Sequence, residues 1–223
     1  FDPNDYKAQI IQLVREKHQR VLRLDGEIKL KFFPSVGIDV GKVTLTEFQG
    51  DAEFLSVDNA RISLEVIPLL AGKLVVDEVV VSGLRTRIEK FRDGRTSVDD
   101  FAGQSQAEEE DSAPIQFDIS SVRIENARLD YRDHATGRFI ELRDTMLQTG
   151  RLANNVTSKL DVSAKVIVNK PMLNVQVKAR TSLKFDLDKQ KFEFSSLKLQ
   201  IAGDALDVKG ITLQANGDIG LNG

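Results

Sequence analysis

From Leu22 to Phe32 the chain alternates without a break. The even positions are Leu22, Leu24, Gly26, Ile28, Leu30 and Phe32, and the odd ones are Arg23, Asp25, Glu27, Lys29 and Lys31. Successive side chains of a strand point to opposite faces, so this segment reads as a strand with one apolar and one charged face. The same text returns between Leu173 and Asp188. Leu173, Val175, Val177, Ala179, Leu183, Phe185 and Leu187 fall on one parity; Asn174, Gln176, Lys178, Arg180, Lys184, Asp186 and Asp188 fall on the other. Extended along the chain, the period of two predicts strands near 20–32, 36–47, 54–67, 73–81, 83–91, 115–120, 122–133, 138–149, 157–168, 172–187, 191–201, 205–209 and 211–216. Between them lie turn sequences such as Phe33-Pro34-Ser35, Pro68 to Gly72, Arg92-Asp93-Gly94, Asp133 to Gly137, Asn169-Lys170-Pro171 and Asp188-Lys189-Gln190. Links this short join antiparallel neighbours, because parallel crossovers need about a dozen residues or more. The parity slips between Phe192/Phe194 and Leu197/Leu199/Ile201, the mark of a β-bulge, which bends and twists a sheet.

One helix precedes the strands. Asp2 suits an N-cap, Pro3 the first helical position, and Asp5 the positive end of the helix dipole. Tyr6, Ile10, Leu13, Val14 and Lys17 follow at helical spacing as one amphipathic stripe, with an end expected near Lys17 or His18. Such a helix is about 20 Å long and covers two or three strands at about 4.8 Å spacing. A dozen strands then leave most of the apolar face either to close on itself as a β-sandwich or to remain an open groove. Pattern alone leaves both open.

The stretch Gly103 to Ala113 has no residue for a buried face and carries Glu108-Glu109-Glu110-Asp111. It reads as an acidic disordered loop, dispensable for folding, between segments 1–102 and 114–223. Across it, Val79-x-Val81-x-Gly83-Leu84 is weakly similar to Val122-x-Ile124-x-Asn126-Ala127-x-Leu129, which hints at a repeated β unit. The chain opens on Phe1-Asp2-Pro3 and ends in strand-like text, and it reads as an internal fragment.

Charge and composition narrow the function. Lysine and arginine number 31 against 34 acids, a net charge of −3, with the signs interleaved; no basic field favours nucleic acid. There is no cysteine, which removes disulfides and thiolate chemistry. No window approaches the roughly 18 apolar residues of a membrane span. The two histidines, His18 at a helix end and His134 in a turn, have no nucleophile or ligand at motif spacing. Gly37 to Thr44 fails as a phosphate loop, because only three residues separate Gly37 from Gly41 and Val43 stands where Ser or Thr must meet magnesium. Asp99-Asp100 and Glu108 to Asp111 lack calcium-loop spacing. The expectation is a non-enzymatic protein without cofactor or metal.

Several motifs in fixed order carry a resemblance. They are Phe1-Asp2-Pro3-Asn4-Asp5-Tyr6-Lys7, Leu24-x-Gly26-x-Ile28-x-Leu30, Phe32-Phe33-Pro34, Gly41-x-Val43-x-Leu45, Phe54-x-x-Val57-x-x-Ala60, Pro68-Leu69-Leu70-Ala71-Gly72, Val79-x-Val81-x-Gly83-Leu84 and Asp93-Gly94-Arg95. Together they resemble the N-terminal region of the AsmA family of bacterial envelope proteins. A looser likeness continues through Val122 to Asp133. Two places differ: His18-Gln19-Arg20 replaces Thr-Gly-Arg, and Ser97-Val98 replaces Asn-Trp. The resemblance implies a transmembrane helix ahead of Phe1 in the whole protein, anchorage in the inner membrane, and a periplasmic location. Through TamB-like and chorein-type bridge transporters it also implies a long, twisted, mostly antiparallel sheet forming an apolar groove for phospholipid acyl chains, in service of the outer membrane. It thus favours the open groove over the closed sandwich.

The expected groove residues are Leu24, Ile28, Leu30, Ile62, Leu64, Val66, Val79, Val81, Ile124, Leu129, Val175 and Val177. The helix is expected either to plug the membrane-proximal end of the groove or to cap the first strands. The alternative function is a closed β scaffold that positions outer-membrane assembly proteins. The last strand-like text, Ile211 to Leu221, has few charges, so the fragment is also expected to self-associate as concentration rises, edge to edge or groove to groove, in a contact that is not physiological.

Overall fold

The computed structural model describes residues 2–32, 36–67, 75–102, 118–187, 189, 191–206 and 208–222. The loop expected at 103–113 and the turns expected at 33–35 and 68–72 lie outside the described residues.

Every described strand belongs to one sheet. Its first four long strands are each interrupted once. They are β1 (Leu22–Leu24) with β2 (Ile28–Lys31), β3 (Val36–Val40) with β4 (Val43–Thr46), β5 (Glu53–Val57) with β6 (Asn59–Leu64), and β7 (Val76–Ser82) with β8 (Arg85–Lys90). Then come β9 (Asp118–Asp133), β10 (Arg138–Thr149), the two-residue spur β11 (Leu152–Ala153), β12 (Ser158–Asn169), β13 (Met172–Asp186), β14 (Lys191–Ala205) and β15 (Val208–Asn222). Counting each interrupted pair as one, long strands lie side by side in chain order. All neighbours are antiparallel except where β7 and β8 both run parallel to β9. At that junction the chain returns through residues 91–117, a link long enough for a crossover.

The sheet does not close. One edge is β1/β2 and the other is β15, so the open sheet, not the sandwich, is the architecture. Besides the interruptions within 20–32, 36–47 and 54–67, further boundaries differ from those the periodicity predicts. Residues 118–120 join the segment at 122–133 in one strand, β9. The segment at 191–201 runs on to Ala205, and those at 205–209 and 211–216 resolve into β15, which reaches Asn222. At Gly203 (φ +147°) an added Cβ would strike the backbone of Asn174 and Val175, so the strand continues there only because it has no side chain to show.

A transverse line of irregularities crosses the early strands. It passes through Gly41-Lys42, Asp58, Gly83 (φ +66°), Asn126 (φ +53°) and Asp144 (φ +49°). At each, the apolar parity of the strand flips: Val40 to Val43, Val57 to Ala60, Val81 to Thr86, Ile124 to Leu129, and Leu142 to Leu147. One extra residue in a single strand would turn the rest of that strand inside out. Matching bulges in adjacent strands keep the apolar residues on one side while the sheet bends.

Asp2 caps a 3-10 turn (Pro3–Tyr6) that leads into α1 (Lys7–His18). The helix lies along the first edge. The Asn4 side chain donates to the Ile28 carbonyl and accepts from the Ile28 N–H, each at 3.0 Å, as a neighbouring strand would. Lys7 Nζ donates to the Gly26 carbonyl at 2.6 Å. The helix therefore caps the first strands. Its less exposed positions are Lys7, Ile11, Val14 and His18, whereas Tyr6, Ile10 and Leu13 of the expected stripe face solvent. A sheet edge offers backbone polar groups rather than an apolar face, and the helix docks through polar contacts accordingly.

Candidate functional site

Directly opposite residues on paired strands project to the same side. Followed through the pairings, one row runs Ile28, Val40, Ala60, Val81, Ile124, Leu147, Val162, Ala179, Leu199 and Ala215. It crosses all the long strands without a polar residue. A second row on the same face runs Leu22, Leu45, Leu55, Thr86, Leu129, Leu142, Val166, Val175, Gly203 and Ile211. Nine inter-strand gaps make the apolar face about 43 Å across at about 4.8 Å each.

One residue over, on the opposite face, the row reads Lys29, Asp39, Arg61, Val80, Arg123, Gln148, Asp161, Arg180, Lys198 and Asn216. Its charges alternate into ladders. Asp39 accepts from Arg61 and Lys31, Arg123 meets Glu78 at 3.0 Å, and Arg180 meets Asp161 at 2.8 Å. The Arg61 guanidinium first, with Lys31, holds the Asp39 carboxyl below its ordinary value.

No second layer covers the apolar face among the described residues. The buried apolar residues among those described are few: Ile28, Phe54, Val57, Ala127, Ala153, Ala164, Val168, Val175 and Phe185. The chain exposes 14,898 Å², against about 10,200 Å² for a compact monomer of 24.8 kDa. An uncovered sheet face gives an excess of that sign.

Eleven of the residues picked out from the sequence lie on this face. Leu24, Ile28 and Leu30 come from β1/β2, Ile62 and Leu64 from β6, Val79 and Val81 from β7, Ile124 and Leu129 from β9, and Val175 and Val177 from β13. Val66 does not, because β6 ends at Leu64 and Val66 sits in a helical turn. Residues of β10, β12 and β14, such as Leu142, Val166 and Leu199, belong to the same rows and carry the same alternating signal. A depression of about 410 Å³ spans β9, β10, β12 and β13 on the charged side of the sheet, lined by Arg123, Gln148, Asp161 and Arg180 with Ile124, Leu147, Val162 and Ala179 between them.

The opposite face of β4 and β5 carries a lock instead of a cleft. Arg20, just ahead of β1, is fully buried between the rings of Phe54 (4.3 Å) and Phe101 (4.6 Å). It donates to both carboxylate oxygens of Asp100 at 2.7 Å, to the Ser97 carbonyl at 2.7 Å and to the Thr46 carbonyl at 3.0 Å. Asp100 and Phe101 belong to α2 (Asp99–Ala102). The Arg20 bonds hold the Asp100 carboxyl below its ordinary value against the opposing effect of burial.

His18 lies beside Phe101, and His134 stacks on Phe91 with Nε2 3.5 Å from Glu89. Asp99 caps Thr96 and Asp100 is taken by Arg20. No group of three potential metal ligands occurs among the described residues, and no helix there is long and apolar enough to cross a membrane.

No solved structure matches the chain. Protein AsmA of Escherichia coli (strain K12) is 23% identical over 163 residues, covering 66% of this chain and 24% of that protein. The chain thus aligns with about a quarter of that relative's length. The model of the AsmA family matches residues 1–220, nearly the whole chain, and the protein belongs to the AsmA family.

Proposed function

We propose that this chain is a lipid-binding segment of a periplasmic conduit that moves phospholipid between the inner and outer membranes. The observation that carries the reading is the unbroken apolar row from Ile28 to Ala215 on a face that nothing in the described structure covers. Acyl chains laid against it gain about 0.8 kcal/mol per buried methylene, while the charged ladders of the other face stay in water. The rows carry no fixed polar ligand, so bound chains can slide along about 43 Å of surface. Membership of the AsmA family supports an envelope role, with the whole protein anchored in the inner membrane ahead of the capping helix. The scaffold alternative relied on a closed core, which the open sheet does not provide. Extraction of the purified chain with organic solvent, followed by mass spectrometry, tests the reading. Co-purified phospholipid at near-stoichiometric amounts is the expected result; a lipid-free, folded protein that also fails to take up fluorescent phospholipid from vesicles would overturn it.

A further inference from the structure

The apolar face stops at charges of opposite sign along its two long rims, where the strands end. Near one rim its last apolar row runs Ile88, Tyr131, Ile140, Val168, Leu173 and Ala205. Two residues farther along the first three of these strands, the same face presents Lys90, Asp133 and Arg138, directly opposite one another on β8, β9 and β10. Neither Lys90 nor Arg138 makes a side-chain hydrogen bond or salt bridge among the described residues. Asp133 is engaged by its own turn, accepting from the Ala135 and Thr136 N–H groups at 2.8 and 3.2 Å. Thr136 first, then Ala135 and Lys90, holds its carboxyl below the ordinary value. Asp99 is likewise taken by Thr96, the residue bridged to Lys90. Lys170, in the turn between β12 and β13, brings a third cation to this end, its Nζ 3.3 Å from the Thr136 carbonyl.

The other rim reverses the sign. Asp77 shares its parity with Val79 and Val81, and the Glu65 carboxylate accepts from Ser120, which shares its parity with Val122 and Ile124. Neither acid is in a salt bridge among the described residues. An amphiphile laid along these strands thus meets cations at one end and acids at the other.

The cationic end is built as an interface. Lysine and arginine lay their stems on apolar surface and keep the charge in water. Tyr131, one row below, has the apolar body and polar tip that suit a boundary between hydrocarbon and water. From Tyr131 to Ile124 is seven residues of β9, about 23 Å at about 3.3 Å each, against about 15 Å for the hydrocarbon of one membrane leaflet. An acyl chain therefore fits on the face below the rim. We infer that Lys90, Arg138 and Lys170 form a rim site for the phosphate of an anionic phospholipid headgroup, with the acyl chains lying along the strands beneath it. The inference rests on the lipid-binding reading above and deepens it: the apolar rows hold the chains, and the rim selects the headgroup.

The test mixes the purified chain with vesicles of equal phosphatidylglycerol and phosphatidylcholine, re-isolates it and quantifies the captured lipids by mass spectrometry. The parent should be enriched about fivefold in phosphatidylglycerol at about 10 mM salt, the scale of one basic residue acting on one lipid charge. The enrichment should fall in about 1 M salt, where the screening length is about 3 Å. Lys90→Gln/Arg138→Gln should capture the two lipids nearly equally, with total lipid unchanged. Each single variant should lie between, and Lys90→Arg/Arg138→Lys should keep the enrichment. Lys178→Gln/Lys198→Gln removes the same charge from the opposite face and should behave as the parent; thermal melts check that every variant is folded. A lipid-loaded parent without enrichment overturns the rim site and leaves the conduit reading standing, as does an equal loss in the opposite-face control. A parent that takes up neither lipid overturns both.

Discussion

Replacing Arg20 by methionine should cost far more than any surface ion pair. The guanidinium is wholly inaccessible, and the Asp100 side chain is 8% exposed. Arg20 donates four hydrogen bonds, two to the carboxylate and two to the Thr46 and Ser97 carbonyls. Methionine fills much of the slot between Phe54 and Phe101 but leaves a carboxylate without a partner in a dry site. Breaking one side of a buried pair costs about 3–5 kcal/mol, against 0–1 for an exposed pair. For a chain of this size that is a fall in melting temperature of about 10–15 °C. The double variant Arg20→Met/Asp100→Leu should recover most of the loss, because the penalty lies in the orphaned charge. Acid provides a second readout. The folded carboxyl of Asp100 is depressed, so its contribution is complete above the unfolded value of about 4 and disappears as pH falls through the lower folded value. The stability of Arg20→Met should therefore change less below about pH 4 than that of the parent. A melting loss below about 3 °C, the scale of roughly 1 kcal/mol, would refute the lock.

Two further outcomes follow from neighbouring residues with opposite fates. Val80 and Val81 are adjacent, yet Val81 pairs into the apolar row with Ile124 whereas Val80 pairs with Arg123; Val81→Asp should deplete extracted phospholipid severalfold while Val80→Asp leaves it near the parent level, both variants being checked for folding by thermal melt. Gln19 closes α1 in the left-handed region (φ +52°), so Gln19→Gly should raise the melting temperature by a few degrees, the equivalent of about 1 kcal/mol, since a side chain there costs about 1–2 kcal/mol.

Much of the apolar face can be read from the sequence because its physics is local. Alternation at Leu22 to Phe32 and at Leu173 to Phe185 needs no knowledge of neighbours, and the residues it marks do share one face. The bulge line needs more. A parity flip at Asp58 or Asp144 looks like the end of a strand until the flip in the next strand is seen beside it, and pairing across the sheet is a non-local fact. The same limit explains why β9 reads as two strands. The helix stripe misleads for another reason: periodicity at Tyr6, Ile10 and Leu13 presumes an apolar partner, but the edge presents backbone to be satisfied, and Asn4 and Lys7 supply it. His18-Gln19-Arg20 hides two roles in three residues. The glycine conformation persists at Gln19, and the buried role of Arg20 depends on Asp100, eighty residues away.

The parallel junction sets a demand on the acidic segment that its composition does not reveal. Low hydrophobicity at 103–113 suggests that the segment could be cut out, since it has nothing to bury. The described residues on either side argue against that. Phe101 packs at a tilt against Phe54, beside Leu55, whose row continues through Thr86 to Leu129. The next described residue, Asp118, starts β9 at its far end, with Ile119 opposite Val76. From the level of Leu129 to that of Asp118 is eleven residues of strand, or about 36 Å at about 3.3 Å each. A fully extended chain gains at most about 3.3–3.6 Å per residue, so the link needs on the order of eleven residues merely to reach. Its sequence is therefore free while its length is not. Replacing residues 103–113 by eleven Gly/Ser residues should leave the melting temperature within a few degrees of the parent, because surface changes away from packed features stay within about 0.5 kcal/mol. Replacing them by two residues should detach α2 or the start of β9, seen as faster hydrogen exchange at residues 97–102 or 118–124 and a clear loss of thermal stability. If the two-residue version melts like the parent with unchanged exchange, the parallel crossover between β8 and β9 is wrong.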